Sequence, residues 1–148
     1  MIGPFNPLAA GPYFIPGFQV LASNVGAQYK IGGVTVDFSG VTAETVSRTL
    51  TGGYVTTVGE KVIEGGSTLY KNGSGDYVPA IDTTTLARGE CFVLDKHVSA
   101  GGQTKGVIGC VFAVGTVFKA RLKVGGAGQP TLSNFLAAFP GIVPQNDA

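Results

Sequence analysis

Residues 60–122 read EKVIEGGSTLYKNGSGDYVPAIDTTTLARGECFVLDKHVSAGGQTKGVIGCVFAVGTVFKARL, a series of apolar runs each broken by glycine before a helix could be completed. Short strands joined by tight turns fit that punctuation, so the stretch predicts a compact antiparallel β domain. Its clearest element is a hairpin, with Tyr70-Lys71 and Asp76-Tyr77 flanking Asn72-Gly73-Ser74-Gly75. Asn-Gly is a strong turn signal. A four-residue loop sets Lys71 opposite Asp76 and Tyr70 opposite Tyr77, and such pairs stabilise a hairpin by roughly 0.2–1 kcal/mol each.

Further strands are predicted on either side. Val34, Val36 and Phe38 alternate with Thr35, Asp37 and Ser39, and Phe18, Val20 and Ala22 alternate with Gln19, Leu21 and Ser23, the pattern of half-buried strands. Segment 42–50 fits a helical face or a strand, and its β-branched content favours strand. Residues 91–94 and 107–114 read as two buried strands joined by a loop containing Gly101-Gly102. If that loop is centred between Ala100 and Gly101, Cys91 lies opposite Cys110, as two buried thiols rather than a disulfide in an intracellular setting. Residues 116–124 form a last strand with Val117, Lys119, Arg121 and Lys123 on one face, a basic row expected to be solvated.

The ends differ in character from the middle. No charged residue occurs before Lys30, and four of the eight prolines, Pro4, Pro7, Pro12 and Pro16, fall in the first 16 residues. Proline fixes φ and removes amide donors, so this stretch can be neither a helix nor a central strand. It is expected to be an extended arm that orders only against a surface already built. That surface is its own domain or, as favoured, a neighbouring subunit, with Phe5, Leu8, Tyr13, Phe14, Ile15 and Phe18 as contacts. Charge disappears again between Lys123 and Asp147. There Leu132, Phe135, Leu136 and Phe139 share one helical face, with Pro130 before it and Pro140-Gly141 after it. A helix this short docks on its own domain or a neighbour, and Leu132, Phe135 and Phe139 are the expected docking residues. The organisation expected is an arm over 1–17, a β domain over 18–124 and a tail over 125–148, in an all-β fold built as a small antiparallel barrel or sandwich.

Composition and motifs argue against chemistry. Charged residues make up 13 % of the 148-residue chain, against about 25 % in average proteins, and the net charge of +1 gives no footprint for nucleic acid. His97 is the only histidine, which excludes multi-histidine metal sites; beside loop glycines it is expected to be an exposed turn residue. Gly73-Ser74-Gly75 lacks the first glycine of a nucleophile elbow. Residues 101–106, GGQTKG, place Thr before Lys and so miss the phosphate-loop order. The carboxylates are scattered, so no acid–base pair stands out. No enzyme activity, cofactor or metal is expected, nor a membrane span or signal peptide. Asn72-Gly73-Ser74 matches a glycosylation sequon that would stay unmodified in a cytoplasm.

The run VIEGGSTLYKNGSGDYVPAID at 62–82, followed after a loop by GVIGCVFAVGTVFKARL at 106–122, resembles the head decoration proteins of tailed bacteriophages, the group that includes the lambda-type decoration protein. The shared pattern is a β-branched run ending in a glycine turn and hairpin, an aromatic-x-Pro (Tyr77 to Pro79 here), and a later Gly-Val-Ile strand. The resemblance implies a small β-rich protein without chemistry, usually trimeric. It would be made in the host cytoplasm and bind the major capsid protein on the outer surface of the virion, clamping adjacent capsid subunits. The longer tail and the strands before residue 60 depart from that pattern. Two other readings stay open, a phage tail, fibre or baseplate component and a cellular binding module; the absence of Trp argues against a sugar-binding version of the latter.

Overall fold

The computed structural model describes residues 12–23 and 25–146. The chain is all-β. Its strands are β1 (Tyr13–Ile15), β2 (Val34–Asp37), β3 (Val62–Ile63), β4 (Thr68–Lys71), β5 (Tyr77–Pro79), β6 (Cys91–Leu94), β7 (His97–Ser99), β8 (Lys105–Ile108), β9 (Val111–Phe112), β10 (Gly115–Phe118) and β11 (Ile142–Gln145), with one helix, α1 (Leu132–Ala138). A six-stranded sheet of order β8-β2-β5-β4-β6-β9 curls into a half-barrel, beside a three-stranded sheet β1-β7-β3 and a parallel pair β10-β11. The antiparallel pattern is broken in the large sheet at β2 and β5, which run parallel.

The middle of the large sheet is buried on both faces. Tyr70, Cys91, Val93 and Phe112 turn toward a cluster completed by Val20, Leu21, Val117, Phe135 and Phe139. Leu69, Phe92, Leu94 and Val111 turn the other way, toward Val36, Phe38, Tyr77, Val98 and Ile108. A strand between two cores has no polar face, which is why residues 91–94 read Cys-Phe-Val-Leu without alternation. Cys91 and Cys110 belong to different clusters and are free, buried thiols. They are not opposite each other: Cys91 pairs with Tyr70, while Val93 faces Phe112 and Leu94 faces Val111. The expected symmetrical loop does not exist, because the chain leaves β6 for a strand of the other sheet, β7, before it returns. Residues 107–114 accordingly split into β8 and β9 on opposite edges of the large sheet.

Several local expectations are corrected in the same way, by side chains that compete with strand pairing. In the tyrosine hairpin Lys71 pairs with Tyr77 and Tyr70 with Val78, one residue out of the expected register. Asn72 Oδ1 accepts the amides of Ser74 and Asp76, drawing Asp76 into the turn, where it meets Lys105 at 2.6 Å instead of Lys71. Segment 42–50 is irregular with a single bridge, Thr49 to Val55, since Ser47 and Arg48 bond to the carbonyl and hydroxyl of Thr56. The strand expected over 116–124 ends at Phe118 and becomes a 3-10 turn, Lys119–Arg121. No basic row forms: the Arg121 guanidinium lies over the Phe118 and Phe18 rings, at 4.2 and 5.7 Å, and donates to the Gln19 carbonyl.

In the described residues β1 pairs with β7, and β11 pairs with β10. Pro12 packs so closely on β8 that a Cβ at Gly106 would lie 2.3 Å from its ring. Thr131 caps α1 by accepting the Asn134 amide, and the Phe135 and Phe139 rings, 4.7 Å apart, fill the first core.

Segment 18–22 forms no regular strand. Val20 and Leu21 are both buried, and the segment is held by a single bridge from Leu21 to Val117 of β10 and by Asp95, which lies between β6 and β7 and is 1 % exposed. Asp95 Oδ1 accepts the amides of Val20 (2.8 Å) and Leu21 (2.9 Å), and Oδ2 accepts the Tyr29 hydroxyl. Removing the carboxylate strands the buried Leu21 N–H and leaves the Val20 N–H only the Asp95 backbone carbonyl at 3.0 Å. Asp95→Ala is therefore expected to lower unfolding free energy by about 3–5 kcal/mol, and Tyr29→Phe by about 1–3 kcal/mol, as read from urea midpoints at unchanged m-value.

Candidate partner-contact surfaces

The expected contact residues fall into four groups. Phe5 and Leu8 lie outside the described residues. Ile15, Phe18, Phe135 and Phe139 are at most 7 % exposed and belong to this chain's own core: Phe135 and Phe139 dock the tail on its own domain, one of the two surfaces expected for it, and Ile15 and Phe18 pack on their own domain instead of the favoured neighbouring subunit. Ile15 packs with Leu50, Val62 and Tyr54, because the end of β1 turns inward across β7. Leu132 is half-buried on the first turn of α1. Tyr13 and Phe14 are the expected contact residues that remain outward, at 37 % and 54 % exposure. They sit on β1, an edge strand of its sheet.

His97, expected in an exposed turn, is 1 % exposed at the start of β7. Its ring stacks on Phe18 with centroids 4.2 Å apart. Nδ1 accepts the Gly65 amide at 2.9 Å, and Nε2 lies 2.8 Å from the Thr51 carbonyl. A backbone amide only donates and a carbonyl only accepts, so the ring is neutral with its proton on Nε2. Burial pushes its pKa below the usual 6.5, with the Lys123 and Arg48 charges adding to the effect and Glu64 opposing it. The sequence offered no distinct signal for either hub: Asp95-Lys96-His97 reads as an ordinary polar break after the apolar run Phe92 to Leu94.

A second carboxylate network ties the irregular segment 44–60 to β7. Glu60 Oε2 accepts the Tyr54 hydroxyl (2.7 Å) and the Ser99 hydroxyl (2.8 Å), while Oε1 accepts the Thr57 amide. Burial and the Glu60 carboxylate raise the Tyr54 pKa, which keeps the phenol protonated as the donor. These groups are structural clamps; each polar atom faces a partner that fixes backbone.

Between β3 and the end of β5 runs a groove of about 620 Å3. Val41, Ile63, Val78 and Ile81 line it, with Thr68 from β4 and the carboxylates Asp37 and Glu64. Glu64 lies 3.4 Å from both Arg48 and Lys123, and the Ser39 amide holds the Asp37 carboxyl below its ordinary range. Among the described residues no group of three His, Cys, Asp or Glu side chains is placed to hold a metal ion, and no helix is long and apolar enough to cross a membrane. Comparison with family models, curated proteins and solved structures finds no match.

The buried neutral His97 sets an acid limit on the fold. Its folded pKa is lowered, so its contribution is complete above the unfolded value of about 6.5 and is lost as pH falls from there through the folded value. The thermal midpoint is expected to be insensitive to His97 above about pH 7 and to drop on acidification. His97→Gln should lower the midpoint at neutral pH and flatten this part of the pH profile, as checked by parallel melts.

Proposed function

We propose that this chain is a structural virion protein that binds the outside of an icosahedral phage shell and stabilises it by clamping adjacent major capsid subunits. The observation that carries the reading is the exposed pair Tyr13 and Phe14 on an edge strand, at the inner end of an opening sequence without charge. Two adjacent exposed aromatics on a pairing-competent edge are the chemistry of a partner contact. The resemblance to decoration proteins supplies the partner, the major capsid protein, and an oligomer, with a trimer favoured.

No reaction is needed for such a role. A protein that binds only the assembled shell stabilises that state by mass action, by RT ln(1 + [L]/Kd) for each site. The half-barrel with cores on both faces of its sheet provides a stiff body, and the contact is made by groups outside those cores. Ile15 and Phe18 then have an anchoring part: they fix the base of the arm so that Tyr13 and Phe14 are presented in one geometry.

Quantitative mass spectrometry of purified particles from the source tests this directly. A ratio to the major shell protein within a small factor of one to one is expected. A few copies per particle would assign the chain to a tail or fibre, and complete absence would remove the virion reading. Phe14→Asp is expected to weaken particle binding by about tenfold or more while shifting the free chain's unfolding midpoint little, since the side chain is largely outside the core.

A further inference from the structure

Three separate pieces of chain meet on the His97 ring. Phe18, just beyond the end of β1, stacks on it with the planes 14° apart. The turn before β4 offers the Gly65 amide to Nδ1, and the turn at 51–53 offers the Thr51 carbonyl to Nε2. The backbone of His97 pairs with Ile15 of β1 itself. The junction has no slack. A Cβ at Gly65 would lie 2.7 Å from the Phe18 ring, and one at Gly52 would lie 2.8 Å from the Gly17 carbonyl oxygen and 3.1 Å from the Phe18 Cβ.

This arrangement needs an unprotonated Nδ1. A proton there gives the ring two donors, so Nε2 keeps the Thr51 carbonyl while Nδ1–H meets the Gly65 N–H. Turning the 64–65 peptide to present its carbonyl instead would break the bond from the Ser67 amide to the Glu64 carbonyl (3.2 Å), which closes the turn into β4. The surrounding charges are already engaged. Glu64, on that turn, is shared between Arg48 and Lys123. Two residues to one side, Asp95 is taken by the Val20 and Leu21 amides and Tyr29, with Lys96 3.9 Å away; two residues to the other, Ser99 and Tyr54 close on Glu60. Arg121 lies over the same Phe18 ring, 5.7 Å from its centroid, so a charged imidazole would set a second cation against one aromatic. Residues 12–18 and 51–53 carry no charge.

We propose that His97 is a proton-operated latch on the arm: uptake of a proton at Nδ1 opens the junction and frees residues 12–18, β1 included, while the body stays folded. The opening ends at Gln19, because the Asp95 carboxylate and the bridge from Leu21 to Val117 hold the residues that follow. What is released is a ladder of three residue pairs together with the packing of Ile15 and Phe18. Tyr13 and Phe14 then lose the fixed geometry in which the edge presents them. The open form takes up its proton at the ordinary histidine value of about 6.5 and the closed form resists it, so the open population rises by at most about tenfold per pH unit below that value.

Native-state hydrogen exchange of the full-length chain tests the latch. It is measured at pH 7.5 and 5.0 across urea concentrations below the unfolding transition and corrected for the intrinsic pH dependence of amide exchange. The amides of 13–18 and of Gly65 are expected to lose protection by about five- to thirtyfold at pH 5.0. Their exchange should depend little on urea, the mark of a local opening, while the amides of β4 and β6 carry the full m-value of unfolding. His97→Asn, whose Oδ1 can accept the Gly65 amide but takes no proton in this range, is expected to abolish the acid-induced loss. The ring of the unsubstituted chain, its only histidine, is followed by NMR in parallel, and its protonation is expected to track the loss of protection. Equal urea dependence for 13–18 and for β4 and β6 at pH 5.0 overturns the latch. So does an undiminished acid-induced loss in His97→Asn. Protection of 13–18 that does not change with pH, or that falls while the His97 ring stays neutral, overturns it without recourse to any variant.

Discussion

The Asp95 carboxylate is the interaction on which the rest of the structure depends. It lies at the passage from β6 to β7, where the chain leaves the six-stranded sheet and enters the three-stranded one. Its two oxygens hold Val20, Leu21 and Tyr29, residues that belong to no regular strand, and Val20 and Leu21 are part of the first core. A buried carboxylate is tolerated only when its lone pairs are occupied, and here two backbone amides and a phenol occupy them. Two residues on, His97 acts in the same manner on Thr51 and Gly65. Residues 91–99 therefore work as a spine, pairing through the backbone along both sheets and through two polar side chains with the irregular segments around them.

This arrangement explains which parts of the fold were legible in the sequence. Alternation made β2 readable, because one face of it is buried and the other is not. The spacing of Leu132, Phe135, Leu136 and Phe139, with Pro130 before them and Pro140-Gly141 after, made α1 readable, and Asn72-Gly73 marked the hairpin. Its register was not readable, since it depended on Asn72 bonding to the Asp76 amide. The failures at 18–22, 42–50 and 119–124 share a cause: each segment is shaped by a distant side chain, Asp95, Thr56 or the Phe18 and Phe118 rings. Local periodicity carries no information about such partners.

Candidate contact residues divide along the same line. Apolar character without charge identified the two ends correctly as unusual, yet could not distinguish a side chain bound for this chain's own core from one left outside. Ile15 and Phe14 are neighbours of similar hydrophobicity, and the strand's period of two sends one inward and the other to solvent. A protein with few charges and two cores around one curled sheet has little polar surface to spare, so its exposed aromatics and its open edge are the features most suited to recognition.

The account's central claim is that the buried Asp95 carboxylate fixes segment 18–22 to the body together with a single antiparallel bridge, Leu21 to Val117. Amide hydrogen exchange of Val20 and Leu21, followed by NMR at neutral pH, tests it most directly. If Asp95 holds these amides as described, they exchange as slowly as the amides of β4 and β6, through global unfolding. Exchange at the rate of the exposed turn at 31–33 would contradict the claim and would detach the arm's anchor from the core.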